Sequence, residues 1–245
     1  MKNLTVPERL IVAADYQPEG SWKAAYRKVL SLAEALRDLD VYIKVNSVLR
    51  AAGYRLIWDL HELGLKVFAD LKLIDIPATL EMDGQLLKEF GPEIVTVMCQ
   101  EDNHGMAAFK QAVSTSTEVL GVTELTSAGP KEQSHEFSQR LHAKVLQVAF
   151  KAQSAGLDGI VLPPTVVGHI AARSDLQLSL NSPSIRPTSL GVVDDDDQRL
   201  VMTPTEAIRN GAHRVIIGRP ITRHPNPRFA TELVLQEIAE AVGHN

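Results

Sequence analysis

Cysteine is almost absent from this chain: Cys99 is the only one, so no disulfide can form within it. The eight histidines are scattered and form no Cys/His cluster with metal-ligand spacing, so no metal is expected. No apolar run approaches the roughly 18 residues of a membrane span, which argues against a membrane partner. No linker or low-complexity tract divides the chain. The stretch from Met1 to Arg9 has neither a long apolar core nor a small-residue cleavage site, so a secretory signal is not expected and the cytoplasm is the expected location. An excess of positive charge is also lacking. The net charge of −5 argues against a nucleic-acid surface, so an anionic ligand would have to be held by a few focused cations.

What is present is the composition of an ordinary globular protein, with 44% hydrophobic and 22% charged residues. Short β-branched apolar runs alternate eight times with amphipathic helical stretches. Strands are expected at residues 10–15, 41–46, 67–73, 94–99, 119–126, 159–163, 176–181 and 214–218. Helical spacing is clearest over residues 21–38 (Trp22, Tyr26, Val29, Leu30, Ala33, Leu36) and 134–157 (Phe137, Leu141, Val145, Leu146, Phe150), and a last helix is expected at 227–242. This pattern predicts the α/β class and a single (β/α)8 TIM barrel filling residues 1–245 as one catalytic domain, since such barrels need about 250 residues. A doubly wound open sheet is the other architecture compatible with the alternation.

In a barrel, chemistry sits at the C-terminal ends of the strands, and the polar residues of this chain fall there. Asp15 ends the first run, Lys44 and Asn46 the second, Asp70, Lys72 and Asp75 the third, and Thr126-Ser127 the fifth. Arg186 follows the seventh, and Gly218-Arg219 end the eighth. The densest cluster is Ala69-Asp70-Leu71-Lys72-Leu73-Ile74-Asp75-Ile76-Pro77-Ala78-Thr79. On a strand, positions i and i+2 share a face, so Asp70 and Lys72 are expected to point together while Leu71 and Leu73 face the opposite layer. A solvated ion pair at a strand end is the alternative, but the flanking Val67-Phe68 and Ile76-Pro77 read as buried, where charges need partners. Lys44 sits in the apolar run Val41-Tyr42-Ile43-Lys44-Val45, where a buried ammonium needs a carboxylate; a purely structural pair with Asp70 is its plainer role. A turn or cap residue is the plainer role for Asp15. Arg219 could be a surface charge, although its guanidinium suits phosphate and Gly218 permits close backbone approach to an anion.

The run Asp-x-Lys-x-x-Asp-Ile-Pro-x-Thr at residues 70–79 resembles the signature of the orotidine 5'-phosphate decarboxylase family, and further motifs follow in order from residue 10 to 222. The resemblance implies cofactor-free decarboxylation of orotidine 5'-monophosphate to UMP, the last step of pyrimidine nucleotide synthesis. It implies a catalytic tetrad of Lys44, Asp70, Lys72 and Asp75. Lys72 would stabilise the carbanion and then protonate it, and Asp70 would lie against the departing carboxylate. Asp75 and Thr79 would act on the partner subunit's site, making the active unit a homodimer. Asp15 would bind a ribose hydroxyl and Ser127 the pyrimidine, while Arg186, Gln198 and Arg219, with Gly218, would hold the phosphate beneath a lid at residues 187–200. The acidic run Asp194 to Asp197 reads as a solvated loop face without chemistry.

The chain departs from the family pattern at Ile74, where many relatives have His; at Ala78, where Asn is usual; and at Ser184, where a glycine is usual. The fourth strand, Thr96-Val97-Met98-Cys99-Gln100-Glu101-Asp102-Asn103, also lacks the usual His-Ala and glycine-rich ending. None of these removes a tetrad or phosphate residue. Two alternatives remain. Magnesium-dependent sugar-phosphate lyases and decarboxylases share the barrel and the Asp-x-Lys-x-x-Asp motif, but Asp75-Ile76-Pro77-x-Thr79 and the Arg186/Gln198 loop argue against them. A catalytically silent nucleotide-binding dimer would account for the departures, but the intact tetrad argues against it.

Overall fold

The eight apolar runs form eight parallel strands: β1 Leu10–Ala13, β2 Tyr42–Val45, β3 Lys66–Leu73, β4 Ile94–Met98, β5 Glu118–Val122, β6 Gly159–Val161, β7 Ser179–Ser182 and β8 Arg214–Ile217. They pair in chain order, and β8 closes onto β1, with Ile11 opposite Ile216, to complete a barrel. This is a computed structural model, and it describes residues 3–99, 103–124, 135–191 and 201–243. Helices α1 Trp22–Leu36, α2 Ser47–Ala52, α3 Arg55–Glu62, α4 Pro77–Phe90, α5 His104–Ala112, α6 His135–Ser154, α7 Val167–Ala171, α8 Pro204–Arg209, α9 Arg219–Thr222 and α10 Pro227–Gly243 follow the strands in turn. Among the described residues no helix is long and apolar enough to cross a membrane.

Strand alternation divides the apolar residues between two cores. Ile11, Ala13, Tyr42, Phe68, Ile94, Leu120, Val122, Val161 and Ile216 fill the barrel. Their neighbours, such as Leu10, Val12, Ile43, Val67, Ala69 and Val95, face outward and pack against the helices. On α1 the buried stripe is Ala25, Val29, Leu32, Ala33 and Leu36, at helical spacing. Trp22, expected in that stripe, is 42% exposed at the helix start. Phe150 of α6 is likewise at the surface, under the Arg173 guanidinium. Helix α4 begins with Pro77 in its first turn and ends at Gly91 in the left-handed region (φ 62°), the asymmetry expected of proline and glycine at helix ends.

Six strands stop short of the expected C-terminal limits: β1 at Ala13, β2 at Val45, β4 at Met98, β5 at Val122, β6 at Val161 and β8 at Ile217. The residues beyond these ends leave the ladder at the mouth, which is what turns Asp15, Asn46 and Gly218 toward one cleft. β7 runs Ser179–Ser182 instead of 176–181: Leu176 and Leu178 are buried against the outer core but precede the first ladder pair, Ser179 with Gly159.

Candidate active site at the barrel mouth

β3 reaches the mouth with a broken register. Phe68 and Ala69 pair with Ile94 and Val95, but the next pair is Leu73 with Val97, so four steps along β3 match two along β4. The slack is a bulge, in which Lys72 adopts φ 51°, a left-handed conformation rare for a lysine. Alternation alone therefore does not account for how Asp70 and Lys72 come to face together, as the spacing had implied. The bulge brings Lys72 Nζ to 2.6 Å from Asp70 Oδ2, while Leu71 stays in the outer core as expected.

A chain of alternating charges runs across the mouth. Lys44 Nζ donates to Asp15 Oδ2 at 2.7 Å and to Asp70 Oδ2 at 3.2 Å. Lys44 and Asp70 are each only 6% exposed. Burial alone would raise the Asp70 carboxyl, but Lys44, Lys72 and hydrogen bonds from Lys72 and Thr96 outweigh it and hold it at about 2. Burial pulls the Lys44 ammonium down, and Asp70 and Asp15 more than compensate, so it stays above the ordinary lysine value. Both groups are therefore ionised throughout the neutral range.

These residues line a cleft of about 590 Å³, within the range of small-molecule sites. Asp15, Lys44, Asp70 and Lys72 line it together with Arg186, Gly218 and Arg219. Arg186 follows β7; its backbone N–H donates to Met202 O at 2.9 Å, and its Nη1 donates to Ile185 O at 3.0 Å. A Cβ at Gly218 would meet protein only at ordinary contact distance, 3.5 Å from Ala13 O, so packing does not demand glycine there. Ser127 and Gln198 lie outside the described residues, as do residues 192–200 of the expected lid.

Asp75 and Thr79 stand apart from this cleft. Asp75 is exposed on the loop after β3, where its Oδ1 accepts the N–H of Ile76 at 2.7 Å. Beside it, Ile74, Ile76, Met82 and Leu86 are 56% to 65% exposed. Thr96, which is not among the site residues expected from the sequence, donates its hydroxyl to Asp70 Oδ1 at 2.9 Å. The signal for it was present: Thr96 is the polar member of the inward set Ile94, Thr96, Met98 in an otherwise apolar strand. Asn46 also lines the cleft, with its Oδ1 buried and without a protein partner. Among the described residues no three His, Cys, Asp or Glu side chains gather as a metal site would require.

Comparison with known proteins points to one family. The chain is 34% identical over 237 residues to orotidine 5'-phosphate decarboxylase of Nitrosomonas eutropha, covering 96% of this chain and 98% of that one. It is 33% identical to the enzyme of the same name from Streptococcus pneumoniae serotype 4, over 94% and 96% of the two chains. The solved structure of orotidine 5'-phosphate decarboxylase from Lactobacillus acidophilus superposes with a TM-score of 0.74 at 27% identity, over 94% of this chain and 99% of that one. The model of the "Orotidine 5'-phosphate decarboxylase / HUMPS family" matches residues 8–234, and with its barrel and its mouth of paired lysines and aspartates the chain belongs to that family.

Proposed function

We propose that this chain decarboxylates orotidine 5'-monophosphate to UMP at the mouth of its barrel, without a cofactor. The observation that carries this reading is the chain Asp15, Lys44, Asp70, Lys72, with Lys72 at its open end, facing a cleft that also holds Arg186 and Arg219. The names of the relatives matched over nearly their whole length support the same substrate. The phosphate would lie against the guanidiniums of Arg186 and Arg219, whose planar donors suit its oxygens. Gly218 would let the backbone approach it, and Gln198 would contribute from the lid. Asp15 would take a ribose hydroxyl, and Ser127 the pyrimidine.

The pyrimidine carboxylate would then lie at Asp70 and Lys72. As the bond between ring carbon and carboxylate breaks, carbon dioxide leaves and the electron pair stays on the ring carbon. The Lys72 ammonium, already fixed in place, stabilises that charge and transfers its proton to the vacated carbon, and solvent then reprotonates the amine. Lys44 keeps Asp70 ionised and oriented during this step.

We also read the whole chain as one domain, acting in the cytoplasm as a homodimer without nucleic-acid or membrane partners. Asp75 and Thr79 match the family motif yet stand outside their own cleft, next to exposed apolar side chains. That placement supports their serving the partner subunit's site.

The test is the loss of ultraviolet absorbance of orotidine 5'-monophosphate with EDTA-treated protein beside a K72A control. Turnover that survives EDTA and disappears in K72A is expected. Turnover that needs added magnesium, or UMP binding by folded protein without any turnover, would overturn the reading.

A further inference from the structure

We propose that Thr96 is a positioning residue: its single hydroxyl holds the left-handed bulge of β3 and thereby fixes Lys72 against Asp70 for proton transfer. This rests on the decarboxylase reading and adds to it a residue behind the cleft wall that does not touch the substrate.

The need for such a residue follows from the register. Between the pairs Ala69/Val95 and Leu73/Val97 the residues of β3, Lys72 among them, have no ladder partner on β4, and a part-buried N–H there needs an acceptor from elsewhere. Thr96 Oγ1 accepts it at 2.9 Å. The hydroxyl proton then goes to Asp70 Oδ1, also at 2.9 Å. One oxygen therefore reads the backbone of the proton donor and the carboxylate beside it. Thr96 is wholly buried, and as a β-branched residue it is stiff about χ1, so the oxygen has little freedom to move.

The arrangement also sorts the two carboxylate oxygens of Asp70. Oδ1 is taken by the hydroxyl, and Oδ2 faces both ammoniums, Lys72 at 2.6 Å and Lys44 at 3.2 Å. On the opposite side of the bulge, Arg50 Nη2 donates to Leu71 O at 2.7 Å. A lysine at φ 51° persists only where its surroundings hold it, and these two contacts grip both ends of the Leu71–Lys72 peptide unit that enters it. Valine in place of Thr96 keeps the shape but offers neither acceptor nor donor, so the Lys72 N–H loses its acceptor and Asp70 can rotate.

The experiment compares T96V and T96S with the wild type in steady-state kinetics, UMP calorimetry, thermal melting and crystal structures. T96V is expected to lower kcat by about 10- to 100-fold, because small misplacements of a reacting group carry penalties of that order, while KM and UMP affinity change less than about threefold. T96S, which keeps the hydroxyl and loses only a methyl, is expected to recover most of kcat. In the T96V structure Lys72 is expected to leave φ 51°, carrying its Nζ off Asp70. T96A replaces T96V if valine prevents folding.

Three results would overturn the proposal: T96V with kcat within twofold of wild type, T96S losing as much as T96V, or a T96V structure with the bulge unchanged. If the wild type itself does not decarboxylate orotidine 5'-monophosphate, the functional reading fails separately. The T96V structure then still decides whether the hydroxyl holds the bulge.

Discussion

Lys72 Nζ and Lys44 Nζ share one oxygen of Asp70, at 2.6 Å and 3.2 Å, and Asp15 balances the second ammonium at 2.7 Å. Two lysines and two aspartates therefore balance in formal charge, and the buried pair Lys44 and Asp70 is held ionised by its neighbours. A mouth built this way can present an ammonium to a developing carbanion without reorganising at the moment of reaction.

The Asp70 carboxyl, held at about 2 against an ordinary 3.8, makes stability depend on pH. Its folded value lies below its unfolded one, so its contribution is fully present above about pH 4 and is lost as pH falls toward 2. The contribution is roughly 2 kcal/mol, from about 1.4 kcal/mol for each unit of difference. Urea unfolding of wild type and D70N at pH 6, 4 and 3 is expected to show the gap between them narrowing on the acid side. A gap independent of pH would show that Asp70 is not held ionised by its neighbours.

Lys44 is the inner ammonium, and K44M removes it while preserving length. Asp70 would then keep only Lys72 as cation, and breaking one side of a buried pair costs about 3 kcal/mol or more. Loss of stability of that order in urea is expected, together with acid unfolding that begins at higher pH because Asp70 is less strongly held. Decarboxylation should fall as well. A K44M protein as stable as the wild type would make the pair with Asp70 incidental.

Ser184 lines the cleft at φ 61°, buried, in a position where a glycine is usual in the family. The backbone angle that glycine would serve is therefore adopted here by a serine. A β-branched side chain tolerates that region worst, so S184V is expected to lose about 2 kcal/mol or more in chemical denaturation. S184G is expected to be at least as stable as the wild type, because relief of the left-handed strain offsets the greater chain entropy of glycine. Equal stability of S184V and wild type would refute the strain.

The barrel was legible because alternation of apolar strands with helical stretches is a local pattern, and Lys44, Asp70 and Lys72 were legible because charges inside apolar runs stand out. What could not be read was anything that depends on register. The slip between β3 and β4 is a relation between two strands, and neither sequence carries it alone. For that reason Thr96 stands out only as the polar inward member of its strand, without its partner on β3, and simple alternation aligns Asp70 and Lys72 where a bulge aligns them in the fold. Strand ends were overestimated where polar residues continue an apolar run past the last ladder pair, as at Asp15. The buried Arg214 was also missed. It sits at the start of β8, with Nη1 and Nη2 each 2.9 Å from the Glu118 carboxylate, and only the closed barrel brings residues so distant in sequence together.

The placement of Asp75 outside its own cleft allows a test that no single variant provides. K72A and D75N should each be inactive if both residues serve catalysis. When the two are unfolded together and refolded as a mixture, random pairing makes about half of the dimers hybrids. In a hybrid, one site carries both lesions, and the other receives Lys72 from the D75N subunit and Asp75 from the K72A subunit. That second site is intact, so the mixture should recover about a quarter of wild-type activity per subunit, provided pairing is symmetric and isologous. The exposed Ile74, Ile76, Met82 and Leu86 beside Asp75 are the apolar surface such pairing would cover. If Asp75 instead folds back onto its own subunit's cleft, every site in the mixture carries one lesion and no activity returns.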